Sequence, residues 1–359
     1  MQGVNRFFLT TRSKILLTLS FVIAVTVITV MLLHLYWKSR PKADLSEIEK
    51  ANNMTEPIKI KVFGWVVHSS STSVNNFYKY HDKFVWVSPT WYYVDGNGGL
   101  IDRGVKSDFI KNCREWGIKL IPLVANYEFS REIIHRILTI PEVREKAIEN
   151  IVKEVLEKEY DGINIDFENI PSEDRDHLTE FMRLLYEKMH AHGKLVTQAV
   201  GAGYVYDHEN LAKYNDLIII MAYGYHWSGS APGPIAPLYW LNDLIDNLLR
   251  KVPKEKLVLG VPLYGFDWPP QGRASAVTYE DAIWIANHYG VKVTFDWKSG
   301  EATFKYKAVD GVHEVWFQIA KSIELRIKLA KEKGLDKIAV WRVGQEDPKT
   351  WSVIIRPEG

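Results

Sequence analysis

The chain reads as an α/β protein: a (β/α)8 TIM barrel with a small α+β insertion between strand seven and helix seven, preceded by one transmembrane helix. Three observations carry that expectation. After Pro57, short runs rich in β-branched residues alternate with amphipathic helical stretches, the pattern of a parallel sheet whose crossovers are helices. The region from Ile58 onward holds about 300 residues, more than the roughly 250 of a typical barrel, and the surplus falls before the last strand. Ahead of it, 23 residues from Ile15 to Trp37 contain no Asp, Glu, Lys or Arg.

That apolar run, at about 1.5 Å per residue, spans roughly 30 Å of hydrocarbon. Arg6, Arg12 and Lys14 precede it and Lys38, Arg40 and Lys42 follow, with no small-x-small cleavage pattern at its end. It is therefore expected to be an uncleaved signal anchor at 15–37. The absence of acids before it puts residues 1–14 in the cytoplasm and the rest of the chain outside, at the cell surface. Residues 38–57 are polar and short of large apolar side chains, which suggests a linker. The barrel follows over 58–359.

Its eight strands are expected near Ile58–Trp65, Lys83–Ser88, Ile118–Ala125, Gly162–Glu168, Lys194–Val200, Leu217–Tyr223, Leu257–Leu263 and Lys337–Trp341. Between them helices fit Lys106–Trp116, ended by Gly117, then Pro141–Lys158, with an apolar stripe from Val143 to Val155, and Asp174–His190, stopped by Gly193. The insertion, about 265–317, carries strand-like runs at Val291–Trp297, Glu301–Tyr306 and Val312–Phe317. Lys298-Ser299-Gly300 and Asp310-Gly311 supply the turns, and a helix over Ile319–Lys333 closes the unit.

Composition narrows the function. With 45 basic and 44 acidic residues, and no basic run interleaved with aromatics beyond the N-terminus, nucleic acid is not a partner. The single cysteine, Cys113, excludes an intrachain disulfide framework. The 13 tryptophans and 18 tyrosines fall in many cases beside glycine and proline, where flat rings can stack on sugar faces as well as fill a core.

One strand stands out. In Gly162–Glu168, Ile163, Ile165 and Phe167 point one way, while Asn164, Asp166 and Glu168 point the other. Central parallel strands are ordinarily apolar on both faces, and burying carboxylates costs several kcal/mol unless something compensates. On strand four of a barrel, the polar face rises toward the C-terminal rim, where such enzymes work. Asp166 and Glu168, roughly 6.5 Å apart along the strand, are close enough to split each other's pKa values. A protonated acid beside a second carboxylate suits glycosidic bond cleavage. A polar barrel layer satisfied by its neighbours, or an oxygen-rich Mg2+ or Ca2+ site, are the alternatives. The glycine spacing of a calcium-binding loop is absent.

The segment resembles the signature of family 18 glycoside hydrolases, Asp-x-x-Asp-x-Asp-x-Glu, with Asp161, Asn164, Asp166 and Glu168 on the polar positions. Met221-Ala222-Tyr223 and Trp341, at two other strand ends, match as well. The run Phe63 to Pro348 is similar to the branch of bacterial spore-cortex and cell-wall N-acetylglucosaminidases, which often has Asn where Asn164 stands. That branch has similar wording at Glu168-Asn169-Ile170-Pro171, Ala231–Pro237 and Trp341–Pro348. The chain departs at Gly224, where many chitinases have aspartate.

The resemblance implies retaining, substrate-assisted hydrolysis of β-1,4 bonds in an N-acetylglucosamine-containing polysaccharide, cell-wall glycan or a chitin-like polymer, with no cofactor and no metal. It makes Glu168, Asp166 and Tyr223 catalytic and Trp341 the floor beneath the reacting sugar. Asn164, Met221, Gln198, Asn126, Tyr225 and Trp227 are expected to bind substrate, with Trp91, Tyr92, Tyr127, His226, Tyr264, Asp267 and Trp268 as further candidates around the cleft. A catalytically silent, lectin-like barrel on the same anchor is the alternative; retention of Glu168, Asp166 and Tyr223 argues against it.

Overall fold

A computed structural model describes residues 22–23, 25–31 and 42–358. Eight parallel strands close on themselves: β1 (Lys61–Val66), β2 (Trp86–Pro89), β3 (Leu123–Asn126), β4 (Gly162–Asp166), β5 (Leu195–Val200), β6 (Leu217–Met221), β7 (Leu257–Pro262) and β8 (Lys337–Trp341). β8 pairs back onto β1, with Ile338 opposite Val62 and Val340 opposite Gly64, so the sheet has no open edge there.

The closure between β2 and β3 is split. Trp86 and Val87 pair with Lys119 and Leu120, and the ladder resumes beyond a break, where Tyr92–Val94 pair with Val124–Asn126. Pro89 and Pro122 lie in or beside the gap, and a proline cannot donate to a ladder. Tyr92–Val94 then turns back through Leu100–Asp102, an antiparallel hairpin that strand periodicity did not anticipate.

Side-chain alternation makes two cores. Phe63, Trp65, Leu123, Ala125, Ala199, Ile219, Val258 and Ala339 point into the barrel and fill it. Their neighbours Val62, Val124, Ile163, Ile165, Ile218, Leu259 and Val340 point out and pack against the helical layer. Since side chains occupy the interior, the barrel is a packed core and not a pore.

Helices Ser107–Glu115, Pro141–Glu157 and Arg175–His190 occupy the expected places, and Ala320–Glu332 follows the insertion. Among the described residues after β8, Pro348–Val353 is a 3-10 turn, and Ile354–Ile355 pairs with Ile58–Lys59 outside the barrel. The first expected strand is thus two pieces, only the second of which enters the barrel. The insertion is a five-stranded antiparallel sheet in the order Ser275–Val277, Gly265–Trp268, Gly311–Phe317, Glu301–Ala308, Thr294–Asp296, crossed by helix Tyr279–Tyr289. It has its own core of Phe295, Phe304, Val315 and Phe317.

Residues 42–57, the described part of the expected linker, correct that expectation. Ser46–Asn53 is a helix whose Ile48 and Ala51 enter the insertion's core. Asn52 is buried; its amide donates to Asp347 at 2.7 Å, and its carbonyl accepts from the Lys321 backbone at 3.0 Å. Two apolar side chains per helix are too few to stand out in a polar stretch, but enough to dock it. The expected anchor, 15–37, falls largely outside the described residues, as does the tail 1–14. Residues 22–23 and 25–31 are helical and exposed. Among the described residues no helix is long and apolar enough to cross a membrane.

Candidate active site

The site is built on β4. Gly162 opens the strand, where an added Cβ would run into the Leu195 carbonyl of β5; glycine lets the two backbones approach. Asn164 lies fully buried inside the barrel, accepting from Trp65 Nε1 at 3.1 Å and donating to Thr197 Oγ1 at 2.9 Å. Asp166 sits one step higher, 6% exposed, and its Oδ1 has no hydrogen-bond partner. Glu168 reaches the rim.

Two contacts fix the direction of Glu168. Its backbone N–H donates to Asn126 Oδ1 at 3.0 Å, and its carbonyl accepts from Asn126 Nδ2 at 3.2 Å. On the outer face, Phe167 is buried against Phe181, ring centroids 5.1 Å apart, while Tyr206 Oη donates to the Phe167 carbonyl at 3.0 Å. Asn169, in the left-handed region at φ 55°, then turns the chain away from the strand.

Above Asp166 and Glu168 opens a cavity of about 490 Å3, which Met221, Tyr223 and Trp341 also line. Trp341 meets Trp65 edge-on, centroids 5.9 Å apart at 74°. Tyr223 packs similarly against Tyr264 at 6.2 Å. Burial holds the Asp166 carboxyl well above the ordinary carboxylate range, and the Glu168 charge adds to the effect. Burial also raises Glu168. Tyr223 is raised by burial, then by Tyr264 and the two acids, so it remains a phenol that can donate a hydrogen bond. The arrangement can hold a proton above the ordinary carboxylate range and deliver it at the rim.

Other expected residues lie elsewhere. Gln198 is on the outward face of β5, with Oε1 accepting from Asn215 Nδ2 at 3.2 Å among buried side chains, so it cannot meet a substrate. Asn126, fully buried, holds the Glu168 backbone and does not line the cavity, and Asn164 has its amide spent on Trp65 and Thr197 beneath it. Tyr225 and Trp227 are exposed on the loop after β6, outside the cavity. His226 in that loop bonds the Ala231 carbonyl through Nδ1 at 2.9 Å. Gly224 has φ +86°, a backbone state that disfavours a side chain, which gives a physical reason for glycine where chitinases carry aspartate. The cavity is also lined by Trp65, Tyr93, Arg103, Phe129 and Trp240, none of them singled out beforehand. Trp65 was within reach, since it holds the inward parity of β1. Arg103 was not, because it comes from the unforeseen hairpin. Among the described residues no group of three or more His, Cys, Asp or Glu could hold a metal ion.

A family model described as Glycosyl hydrolases family 18 matches residues 36–346. The protein YdhD of Bacillus subtilis (strain 168) is 31% identical over 270 residues, which span 70% of this chain and 64% of YdhD. The cortical fragment-lytic enzyme of Bacillus anthracis is 28% identical over 254 residues, 66% of this chain and 58% of that enzyme. Among solved structures, the Bacillus cereus spore cortex-lytic enzyme SleL superposes with a TM-score of 0.77 at 23% identity, covering 85% of this chain and 76% of SleL, a likeness of fold. The chain spans 58 to 64% of the length of the two sequence relatives.

Proposed function

The chain belongs to the glycosyl hydrolases of family 18, and on that premise we propose that it cleaves β-1,4 bonds in an N-acetylglucosamine-containing polysaccharide with help from the substrate itself. One observation carries the reading. Asp166 and Glu168 are the only carboxylates among the described residues lining the cavity, Asp166 closing β4 and Glu168 standing two residues beyond it. An enzyme that uses a carboxylate nucleophile, or a carboxylate base for water, needs it across the sugar from the acid. Here the second group is a neighbour of the first, so the nucleophile comes from the substrate.

Glu168 gives its proton to the glycosidic oxygen as the bond from C1 to that oxygen breaks. The 2-acetamido carbonyl oxygen forms the new bond to C1, closing an oxazolinium ring. Asp166 accepts a hydrogen bond from the acetamido N–H, and Tyr223 donates one to its oxygen, holding it in line with C1. Trp341 supplies the apolar floor. Water then attacks C1, Glu168 takes its proton, and the ring reopens with the anomeric configuration retained.

Bacterial cell-wall glycan ranks ahead of chitin, because the similar Bacillus anthracis protein is a cortical fragment-lytic enzyme. Membrane tethering through residues 15–37, with the barrel outside the cytoplasm, belongs to the same reading. Its support is the charge-free run and the way Thr26 and Thr29 return their hydroxyl hydrogens to the Val22 and Val25 carbonyls, each at 2.8 Å, so that neither of these two hydroxyls is left unpaired. Membrane fractionation tests it; recovery of the intact chain in the soluble fraction without detergent sinks it.

To test the chemistry, the protein is incubated with peptidoglycan, with chitin oligosaccharides and with their N-deacetylated forms, and new reducing ends are identified by mass spectrometry. Acetylated glycan should be cut and deacetylated glycan spared. Glu168→Gln should lose about two orders of magnitude or more in rate. Equal cleavage of deacetylated glycan, or a fully active Glu168→Gln, overturns the mechanism.

A further inference from the structure

Arg103 is the one basic residue among the described residues lining the cavity. Its guanidinium lies over the ring of Tyr93, 4.2 Å from the centroid. Tyr93 is itself held edge-on by Tyr127 at 5.6 Å and by Phe129 at 6.5 Å. The stack therefore rests on a packed aromatic base, and the backbone beneath it is fixed by the hairpin pairing of Tyr93 with Ile101.

Among the described residues no acid engages this cation. The adjacent carboxylate, Asp102, turns one oxygen, Oδ1, to the backbone N–H groups of Gly104 at 2.7 Å and Val105 at 2.9 Å. Among the described residues no carboxylate forms an ion pair with Arg103. Burial raises both Asp166 and Glu168, the Glu168 charge adds to the shift of Asp166, and Arg103 is not among the causes of either. Nearby His68 bonds Thr90 Oγ1 through Nδ1 at 3.1 Å, and burial together with the Arg103 charge lowers its pKa, so it adds no second positive charge.

A stacked guanidinium keeps its N–H edge free, and that edge matches a carboxylate in bidentate geometry. As a glycan fills the cavity it strips water from this cation. A neutral polymer returns nothing of equal strength, whereas an anionic substituent does. We propose that Arg103 binds a carboxylate carried by the glycan, making the site selective for an acidic N-acetylhexosamine polymer over neutral chitin. The inference rests on the glycosidase reading above and names the substrate class of the same site. Two parts of a cell-wall glycan offer this group: the lactyl ether of a muramyl sugar, and the free carboxylates of a peptide linked to it.

The test uses binding, so that it does not depend on turnover. Whole chain carrying Glu168→Gln, in mild non-ionic detergent, is titrated calorimetrically with three tetrasaccharides. One is chitotetraose. The second alternates N-acetylglucosamine with N-acetylmuramic acid, lactyl carboxylates free. The third is the same chain with those carboxylates amidated to an Ala-Glu dipeptide. Adding Arg103→Gln should lower the ratio of acidic to neutral affinity at least about tenfold, equivalent to about 1.4 kcal/mol. A fall confined to the second ligand assigns the lactyl group, and a fall confined to the third assigns the peptide. Adding Arg103→Lys, which keeps the charge without the fork, should lie between. An unchanged ratio, or equal losses for all three ligands, overturns the inference, with a thermal melt of each variant confirming that it is folded. Failure of the parent enzyme to release reducing ends from any glycan would instead strike the glycosidase reading, leaving the affinity ratio legible.

Discussion

Glu301 in the insertion and Asp166 in the barrel are both enclosed by the fold, and they are kept in different company. Glu301 is fully buried beside Arg326, equally buried, at 2.8 Å, and its carboxylate also accepts from the backbone N–H groups of Ile235 at 2.9 Å and Ala236 at 2.7 Å. Burial raises its pKa, but Arg326 and the two amides pull the other way. Arg326 spends its remaining reach on the Ala236, Gly300 and Ser322 carbonyls. The cluster ties the loop after β6 to the insertion and to helix Ala320–Glu332. Asp166 has burial and a like-charged neighbour acting in the same direction, and an oxygen with no partner. A carboxylate that the fold surrounds with donors serves architecture. One that it denies them is kept ready for something that arrives.

The largest effect should come from breaking the first arrangement. Arg326→Met leaves Glu301 buried without its cation and should cost about 3–5 kcal/mol of stability by denaturant unfolding. The double variant Arg326→Met/Glu301→Leu should recover much of that loss. No recovery would show that the cluster does more than neutralise itself.

Asp166→Asn should act in the opposite sense: activity collapses while the folded state gains at neutral pH. The sign follows from the raised carboxyl. The native state holds this proton where the unfolded chain, with a carboxyl near 3.9, has released it. Stability is then greatest below that value and falls as pH rises through the native pKa. Thermal melts of the parent between pH 4 and pH 8 should show this decline, and Asp166→Asn should flatten it. An identical slope in both proteins would mean that Asp166 is ionised in the native state after all.

The smallest expected effect is in the layer beneath. Asn164→Asp places a carboxylate under Asp166, which should raise the Asp166 pKa further and move the acidic limb of the pH–rate profile upward. An unmoved limb would show that the neutral side chain at 164 does not tune the site.

The polar face of β4 was legible because period-two alternation is local: three side chains on one strand declare their own side. The same rule misplaced Gln198, since β5 carries one polar residue on each face, Thr197 and Gln198, and alternation alone does not say which of them faces inward; Thr197 meets Asn164 and Gln198 meets Asn215. Asn126 was misread for a related reason. It stands at a strand end near the rim, but its parity is outward and its amide holds Glu168 by the backbone. The strand that starts the hairpin carrying Arg103 is held in the barrel by Val124–Asn126, some thirty residues on, and the helix carrying Asn52 by Asp347, 295 residues on. No periodicity within a short window reports such partners.

The docked helix has a mechanical consequence if residues 15–37 are held in a bilayer. A free stalk from Trp37 to Pro57 could stretch to roughly 70 Å, whereas the chain is already pinned at Asp44, whose backbone bonds Val291 and Val293. Seven residue steps remain, a leash of roughly 25 Å. The mouth of the barrel would then patrol a thin shell over the membrane, and any strand it cuts would have to come within that shell.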